Sequence, residues 1–240
     1  MPANPILYQG KAKNLYQTEQ TGQLLLHFRD DTSAFNGKKT ARLTHKGKIN
    51  NQFNAFIMQL LQKHGVRNHF IRMLDPQSSL VQHLTMVPIE CVIRNYAAGS
   101  IVTRLGITEA EKFDPPIFEF FLKNDPLGDP LINTSHILAL KLADQEFITQ
   151  AKQLTYQVNQ ILVPLFADKG MLLVDYKLEF GYHNNQLLLG DEFTPDGCRI
   201  WDQHTRKKMD KDRFRQNLGQ ITDSYCEVAE RLGMQLNLTN

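Results

Sequence analysis

Apolar and polar positions in this chain of 240 residues follow two periods, one of two residues and one near 3.6. The clearest period-two stretch is L-V-D-Y-K-L-E-F-G at 173–181, where Asp175, Lys177 and Glu179 fall on one face of a strand and Val174, Tyr176, Leu178 and Phe180 on the other. Such a strand is anchored by its apolar face and presents acid, base and acid along a rigid rail. A second apolar run at 187–193 follows a segment containing Asn184 and Asn185, residues that tolerate the left-handed backbone of a tight hairpin turn. Earlier in the chain the pattern predicts strands at 6–8, 14–17, 23–28, 69–74, 80–84 and 87–94. Ile49, Phe53, Phe56, Ile57, Leu60 and Leu61 keep helical spacing between residues 46 and 64, with Gly65 as the stop. A short helical segment follows Ser100. Phe147, Leu154, Val158, Ile161 and Leu162 mark a long amphipathic helix over 143–166, and Phe214, Leu218, Ile221, Tyr225 and Ala229 mark one closing helix over 210–232.

Strands dominate the first part and mixed elements the second, with no internal repeat and no flexible linker. The expectation is an α+β fold in which an N-terminal antiparallel β-rich domain, residues 1–86, packs on a second α+β domain, residues 87–240, with the site in the cleft between them. Composition leaves this picture in place: 42% hydrophobic and 22% charged residues are ordinary for a globular protein. Lys plus Arg number 27 against 25 Asp plus Glu, a net charge of +2, which gives no electrostatic reason to expect nucleic acid as a partner. Cys91, Cys198 and Cys226 match neither a zinc pattern nor a disulfide framework and read as free thiols in a reducing compartment. No stretch has the length and character of a signal peptide or a membrane span. A cytoplasmic protein without a membrane partner is expected.

Candidate chemistry concentrates in the late hairpin. If Asn184 and Asn185 alone form its loop, Glu179 lies opposite Gly190; with a three-residue loop or one bulge, Glu179 lies opposite Asp191, and the second register is the one expected. Two carboxylates that close repel unless a proton or cation intervenes. A divalent ion suits them, and magnesium held by one or two carboxylates implies substrate phosphates nearby. Gly10-Lys11-Ala12-Lys13 sits in the first strand–turn–strand, where backbone amides and lysines can meet phosphates as a kinase flap does, although the same lysines also fit a solvated hairpin. Arg94 and Ser100 bracket a Gly-containing loop suited to a phosphate or carboxylate, and Arg199 and Arg215 offer further guanidinium groups. Ser33, Asn36 and Gly37 lie in a polar loop suited to amino-acid recognition or to simple turn formation. Lys123 is open to either a functional or a surface role. Gly-x-Ser-x-Gly and His-Glu-x-x-His motifs are absent, so the inventory favours phosphate chemistry over a nucleophilic triad. A small-molecule kinase meets the same demands, and a nucleotide- or RNA-binding module without activity is a further alternative.

V-P-I-E-C-V-I-R-N-Y-A-A-G-S at 87–100 and L-V-D-Y-K-L-E-F-G at 173–181 closely resemble the two signature segments of the SAICAR synthetase family. The resemblance runs from Y-Q-G-K-A-K at 8–13 through L-G-D-E-F at 189–193 and P-D-G at 195–197 to M-D-K-D-R-F-R at 209–215. It implies a kinase- or ATP-grasp-like cleft, ATP and Mg2+ as cofactors, and ATP-dependent joining of the carboxylate of carboxyaminoimidazole ribonucleotide to the amino group of L-aspartate in purine biosynthesis. It further implies that Lys11, Ala12, Lys13 and Lys123 meet the nucleotide, that Leu15, Leu24 and Met86 flank adenine, and that Glu179 and Asp191 hold magnesium. Arg94, Ser100, Lys177 and Arg199 would bind the ribonucleotide with Asp175 orienting it, Lys13, Asp175 and Lys177 would serve catalysis, and Ser33, Asn36, Gly37 and Arg215 would receive aspartate. A homodimer is the assembly the resemblance suggests.

Overall fold

The computed structural model describes residues 5–35 and 37–239; Asn36 lies outside them. In chain order the elements are β1 (Ile6–Gln9), β2 (Lys13–Gln17), β3 (Gln23–Phe28), β4 (Asp31–Ala34), β5 (Lys39–Arg42), α1 (Lys46–Lys63), β6 (Phe70–Asp75), β7 (Ser78–Gln82), β8 (Thr85–Tyr96), α2 (Ser100–Leu105), β9 (Lys112–Leu122), β10 (Leu131–Ile132), α3 (Thr134–Ala139), α4 (Gln145–Ala167), β11 (Met171–His183), β12 (Gln186–Gly190), β13 (Cys198–Asp202), α5 (Asp212–Arg215) and α6 (Ile221–Arg231). The first sheet has the order β1-β2-β3-β7-β6, the second runs β10-β9-β8-β11-β12 with β13 also on β11, and β4-β5 form a separate ribbon. The described pairings between strands of these sheets are antiparallel, so α+β is the class observed.

Local signals account for the principal helices. Asp144 caps α4 by accepting the Phe147 N–H at 2.8 Å, and α4 lays Phe147, Ala151, Val158 and Leu162 on the second sheet. Gly65, at φ +82°, lets the chain leave α1 in the left-handed region. Ile49, Phe53, Ile57 and Leu61 of α1 are fully buried. The largest apolar cluster is continuous from Phe53 of α1 through Ile89 and Ile93 of β8 and Leu178 of β11 to Val228 of α6. A smaller cluster of Leu24, Leu26, Phe28 and Val81 lies under the first sheet.

Three expectations change. The hairpin uses Asn184 and Asn185 alone as its loop, at φ 48° and 61°, and Glu179 therefore pairs with Gly190 rather than Asp191. The two asparagines supply the positive φ of a two-residue turn, which matches the strand twist without a bulge. A bulge does occur in β11, between Leu173 and Asp175 against β13, and it moves Val174 out of the apolar row. Leu173 joins Tyr176, Leu178 and Phe180 in the main core, while Val174 packs with Ala98, Leu172 and Trp201. The single closing helix is two short ones, because Asn217, Gly219 and Gln220 take positive φ between α5 and α6. Leu218 is consequently exposed.

Candidate functional site

β8 and β11 lie side by side at the centre of the second sheet, and their register places Arg94 beside Asp175, Val92 beside Lys177 and Glu90 beside Glu179. Directly paired residues share a face, so the rail read from 173–181 is doubled by a second row from β8. Lys177 Nζ lies 2.6 Å from Glu90 Oε1 and 2.7 Å from Glu179 Oε1. Glu179, almost fully buried, is also paired with Lys123. Just past β12 the chain bends at Asp191, φ 54°, which swings Asp191 and Glu192 out of the ladder so that both reach Lys13 from the flap.

Three ammonium groups, of Lys13, Lys123 and Lys177, thus face the four carboxylates of Glu90, Glu179, Asp191 and Glu192. Burial opposes the charge on Lys13, but Asp191, Glu192 and Glu179 outweigh it and raise its pKa. Lys177 is likewise raised well above the usual lysine value by Glu179 and Glu90 against the effect of burial. Burial disfavours charged Asp191, yet Lys13, Lys123 and Lys177 hold its carboxyl well below the ordinary range. Asp191 is therefore anionic throughout the physiological range. Among the described residues no group of three or more His, Cys, Asp or Glu side chains gathers as a metal cage; buried Glu179 and partly buried Asp191 are two carboxylates of the kind that suits magnesium when substrate phosphates complete its shell.

Asp175 organises the other end of the cavity. Its Oδ2 accepts from Arg94 Nη1 at 2.7 Å and from Arg199 Nη1 at 2.8 Å. Arg94 Nε donates to Glu119 at 2.7 Å, and its Nη2 reaches Ser100 Oγ at 3.4 Å. Arg199 Nε donates to Asp212, which also accepts from Arg215 at 2.6 Å. Gly99, at φ +64°, lets the guanidinium of Arg199 lie against the backbone, since a Cβ there would stand 2.4 Å from Nη2. Beneath this region Asp196 is bound by fully buried Lys46 at 2.5 Å, by Asn50 Nδ2 at 3.0 Å and by the Tyr225 hydroxyl at 2.8 Å. Asn54 accepts the Phe193 N–H at 2.9 Å. Polar residues of α1 thus fix the segment that carries the acids.

The resulting cavity has a volume of about 420 Å³. Lys11, Ala12, Lys13, Ser33, Arg94, Ser100, Lys123, Asp175, Lys177, Asp191, Arg199 and Arg215 all line it. Glu179 is outside the lining, buried behind Lys123 and Lys177, which line the cavity and pair with it. Leu15, Leu24, Met86 and Gly37 are outside its lining. Leu15 packs against buried Leu24 on the first sheet, while exposed Met86 lies across Gly181 and Gly190 of the hairpin. Lys13 and Leu15 occupy alternate positions of β2, so this apolar stretch continues the face that carries Lys13. Sequence reasoning missed Glu90, Glu119, Glu192, Asp196, Lys46 and Asp212. Glu90 and Glu192 sat inside the motifs and were legible as neighbours of residues already chosen; Lys46 carried no signal at all.

A lysine-bearing flap facing a paired-acid rail, with a guanidinium-rich far end, defines a nucleotide-using enzyme built for several anionic groups at once. Residues 6–232 match the model of the SAICAR synthetase family. The phosphoribosylaminoimidazole-succinocarboxamide synthase of Alteromonas mediterranea is 57% identical over 231 residues, which cover 96% of this chain and 98% of that protein. The crystal structure of the corresponding synthase from Ehrlichia chaffeensis superposes with a TM-score of 0.94 at 42% identity, covering 97% of this chain and 100% of the other. A SAICAR synthetase solved in complex with ADP gives 0.92 at 39% identity over 96% and 98%. The chain belongs to the SAICAR synthetase family.

Proposed function

We infer that this chain is an ATP-dependent carbon–nitrogen ligase that joins the carboxylate of carboxyaminoimidazole ribonucleotide to the amino group of L-aspartate, giving SAICAR, ADP and phosphate in de novo purine biosynthesis. The observation that carries the chemistry is the convergence in one cavity of Lys13 with Asp191, of Lys123 and Lys177, which bind Glu179 behind the lining, and of the Arg94–Asp175–Arg199 cluster. A carboxylate is a poor acyl donor. Its oxygen attacks the γ-phosphorus of ATP, ADP leaves, and the amine of aspartate then attacks the acyl carbon and expels phosphate. Catalysis of both steps is mainly positioning and charge neutralisation.

In this reading Lys11, Ala12 and Lys13 of the flap meet the phosphates, with Lys123 beside them, and adenine lies by Leu15, Leu24 and Met86. Glu179 and Asp191 hold magnesium, which when bound supplies positive charge at the phosphate oxygens. Lys177, placed between the acidic cluster and the arginines, faces the reacting carboxylate. Arg199, Arg94 and Ser100 bind the ribonucleotide, with Asp175 fixing both guanidinium groups. Ser33, Gly37 and Arg215 receive aspartate, and Asn36, the fourth candidate, lies outside the described residues. Functionally the chain divides into a nucleotide half, 1–86, and a half carrying the metal and ribonucleotide site, 87–240, with the boundary inside β8. We propose a cytoplasmic enzyme, supported by its three free cysteines, and a homodimer, supported by the resemblance alone. No helix among the described residues is long and apolar enough to cross a membrane.

The test is to mix purified protein with ATP, magnesium, the imidazole carboxylate and L-aspartate and to follow ADP and product. The ligase releases ADP only when both other substrates are present and forms a new amide. A stable phosphorylated product made without aspartate would instead identify a kinase.

A further inference from the structure

The flap is held from below by one side chain that no part of the proposed mechanism uses. Arg29 follows the end of β3. Its Nη2 donates to the carbonyl oxygens of Gly10 at 2.9 Å and Lys11 at 3.1 Å, and its Nη1 to that of Lys13 at 3.2 Å and to the side-chain oxygen of Asn14. Its own backbone N–H donates to the Ala12 carbonyl at 2.7 Å. All four carbonyls of residues 10–13 therefore turn onto one residue. Because the C=O and N–H of a planar trans peptide point in opposite directions, the amides of Lys11, Ala12 and Lys13 are turned away from Arg29. These residues line the cavity.

The arginine is itself pinned. Nε donates to Asp31 Oδ2 at 2.6 Å, and the intervening Asp30 accepts the Gly47 N–H of α1 at 3.0 Å and the Leu43 N–H at 2.9 Å. Gly47 packs so closely that a Cβ would lie 2.6 Å from the Phe28 carbonyl oxygen. The base of the arginine is thus bound to the start of α1.

We propose that Arg29 is a positioning residue for nucleotide binding: its planar fork gathers the flap carbonyls so that the opposite side of the loop offers backbone N–H groups, with Lys11 and Lys13, as a preformed seat for the phosphates of ATP. This rests on the reading that the flap meets those phosphates. The requirement is for the fork, since a lysine keeps the charge but cannot span several carbonyls in one plane.

The test compares wild type with Arg29→Lys, Arg29→Gln and Lys13→Ala, measuring ADP affinity by calorimetry in magnesium and KM for each substrate. Both Arg29 variants are expected to bind ADP about tenfold more weakly and to raise KM for ATP, with KM for the ribonucleotide and aspartate within about twofold and the thermal midpoint unchanged. Wild-type ADP affinity in Arg29→Lys, or an equal loss for all three substrates, overturns the proposal. Weak binding by Lys13→Ala beside normal binding by Arg29→Lys overturns it while leaving the flap as the phosphate site; normal binding by Lys13→Ala and by both Arg29 variants removes the flap reading as well. Should the Arg29 variants fail to fold, Asp31→Ala, which removes the acceptor of Nε, carries the same expectations.

Discussion

Asp175 separates two guanidinium groups that would otherwise face each other in a buried place. Asp175→Asn keeps the volume and removes the charge, so a destabilisation of about 3 kcal/mol is expected by denaturant titration, together with a raised KM for the ribonucleotide; wild-type stability would mean that Glu119 and Asp212 suffice to balance the arginines. Glu179→Gln and Asp191→Asn each take one charge from the acid pair with little change in shape. Each is expected to lower kcat by about 100-fold or more while circular dichroism stays native, and unchanged turnover in both would remove the pair from the mechanism. At this scale the sequence was most legible, because Asp175, Lys177 and Glu179 stand at period two in an apolar strand. Lys46 was illegible: a lysine opening a helix reads as solvated, and only the fold brings Asp196 to it.

Elements were legible where one periodicity persisted and dark where a local conformation overrode it. Both long helices and the strands around the site follow their apolar stripes. The hairpin register did not follow the demand for facing acids; the two asparagines set it, and the bend at Asp191 does what a bulge was expected to do. β9 went unseen because F-D-P-P-I-F-E-F-F-L carries adjacent prolines, which read as a break; over most of its length the strand lies at the border of the sheet, where proline is tolerated. The turn before α2 gives a prediction at this scale. Gly99→Ala adds a methyl into the guanidinium of Arg199 at a positive φ, so Arg199 must leave Asp175. The expected result is a raised KM for the ribonucleotide with little change in that for ATP, and unaltered kinetics for both would show that the loop yields instead.

Across the whole molecule, buried charges set how stability responds to pH. Burial lowers the pKa of His69 to about 4 from an ordinary 6.5. Between those values the unfolded chain takes up a proton that the folded one refuses, so stability complete above pH 6.5 is lost as pH falls towards 4, by up to about 3 kcal/mol. Asp210 runs the other way: burial, together with Asp212, pushes it up to about 7, so its contribution is largest below pH 4 and disappears as pH rises to 7. The two oppose each other in the same window. His69→Gln is therefore expected to gain up to about 3 kcal/mol relative to wild type at pH 4 compared with pH 7 in urea titrations, and a difference independent of pH would contradict the assignment. Asp196 and Asp191, held low by Lys46 and Lys13 against the effect of burial, contribute stability present above about pH 4 and lost below it.

The cavity joins β2 to β13 and α5, residues far apart in sequence, which is why its individual side chains could be read from motifs while their ion pairing could not. What unites it is the claim that Glu179 and Asp191 hold the metal that grips the nucleotide. The most direct measurement is the affinity for ADP with and without magnesium, in wild type and in the Glu179→Gln, Asp191→Asn double variant. Wild type should bind ADP more tightly when magnesium is present, and the double variant should show no such gain; an equal gain in both would place the metal elsewhere.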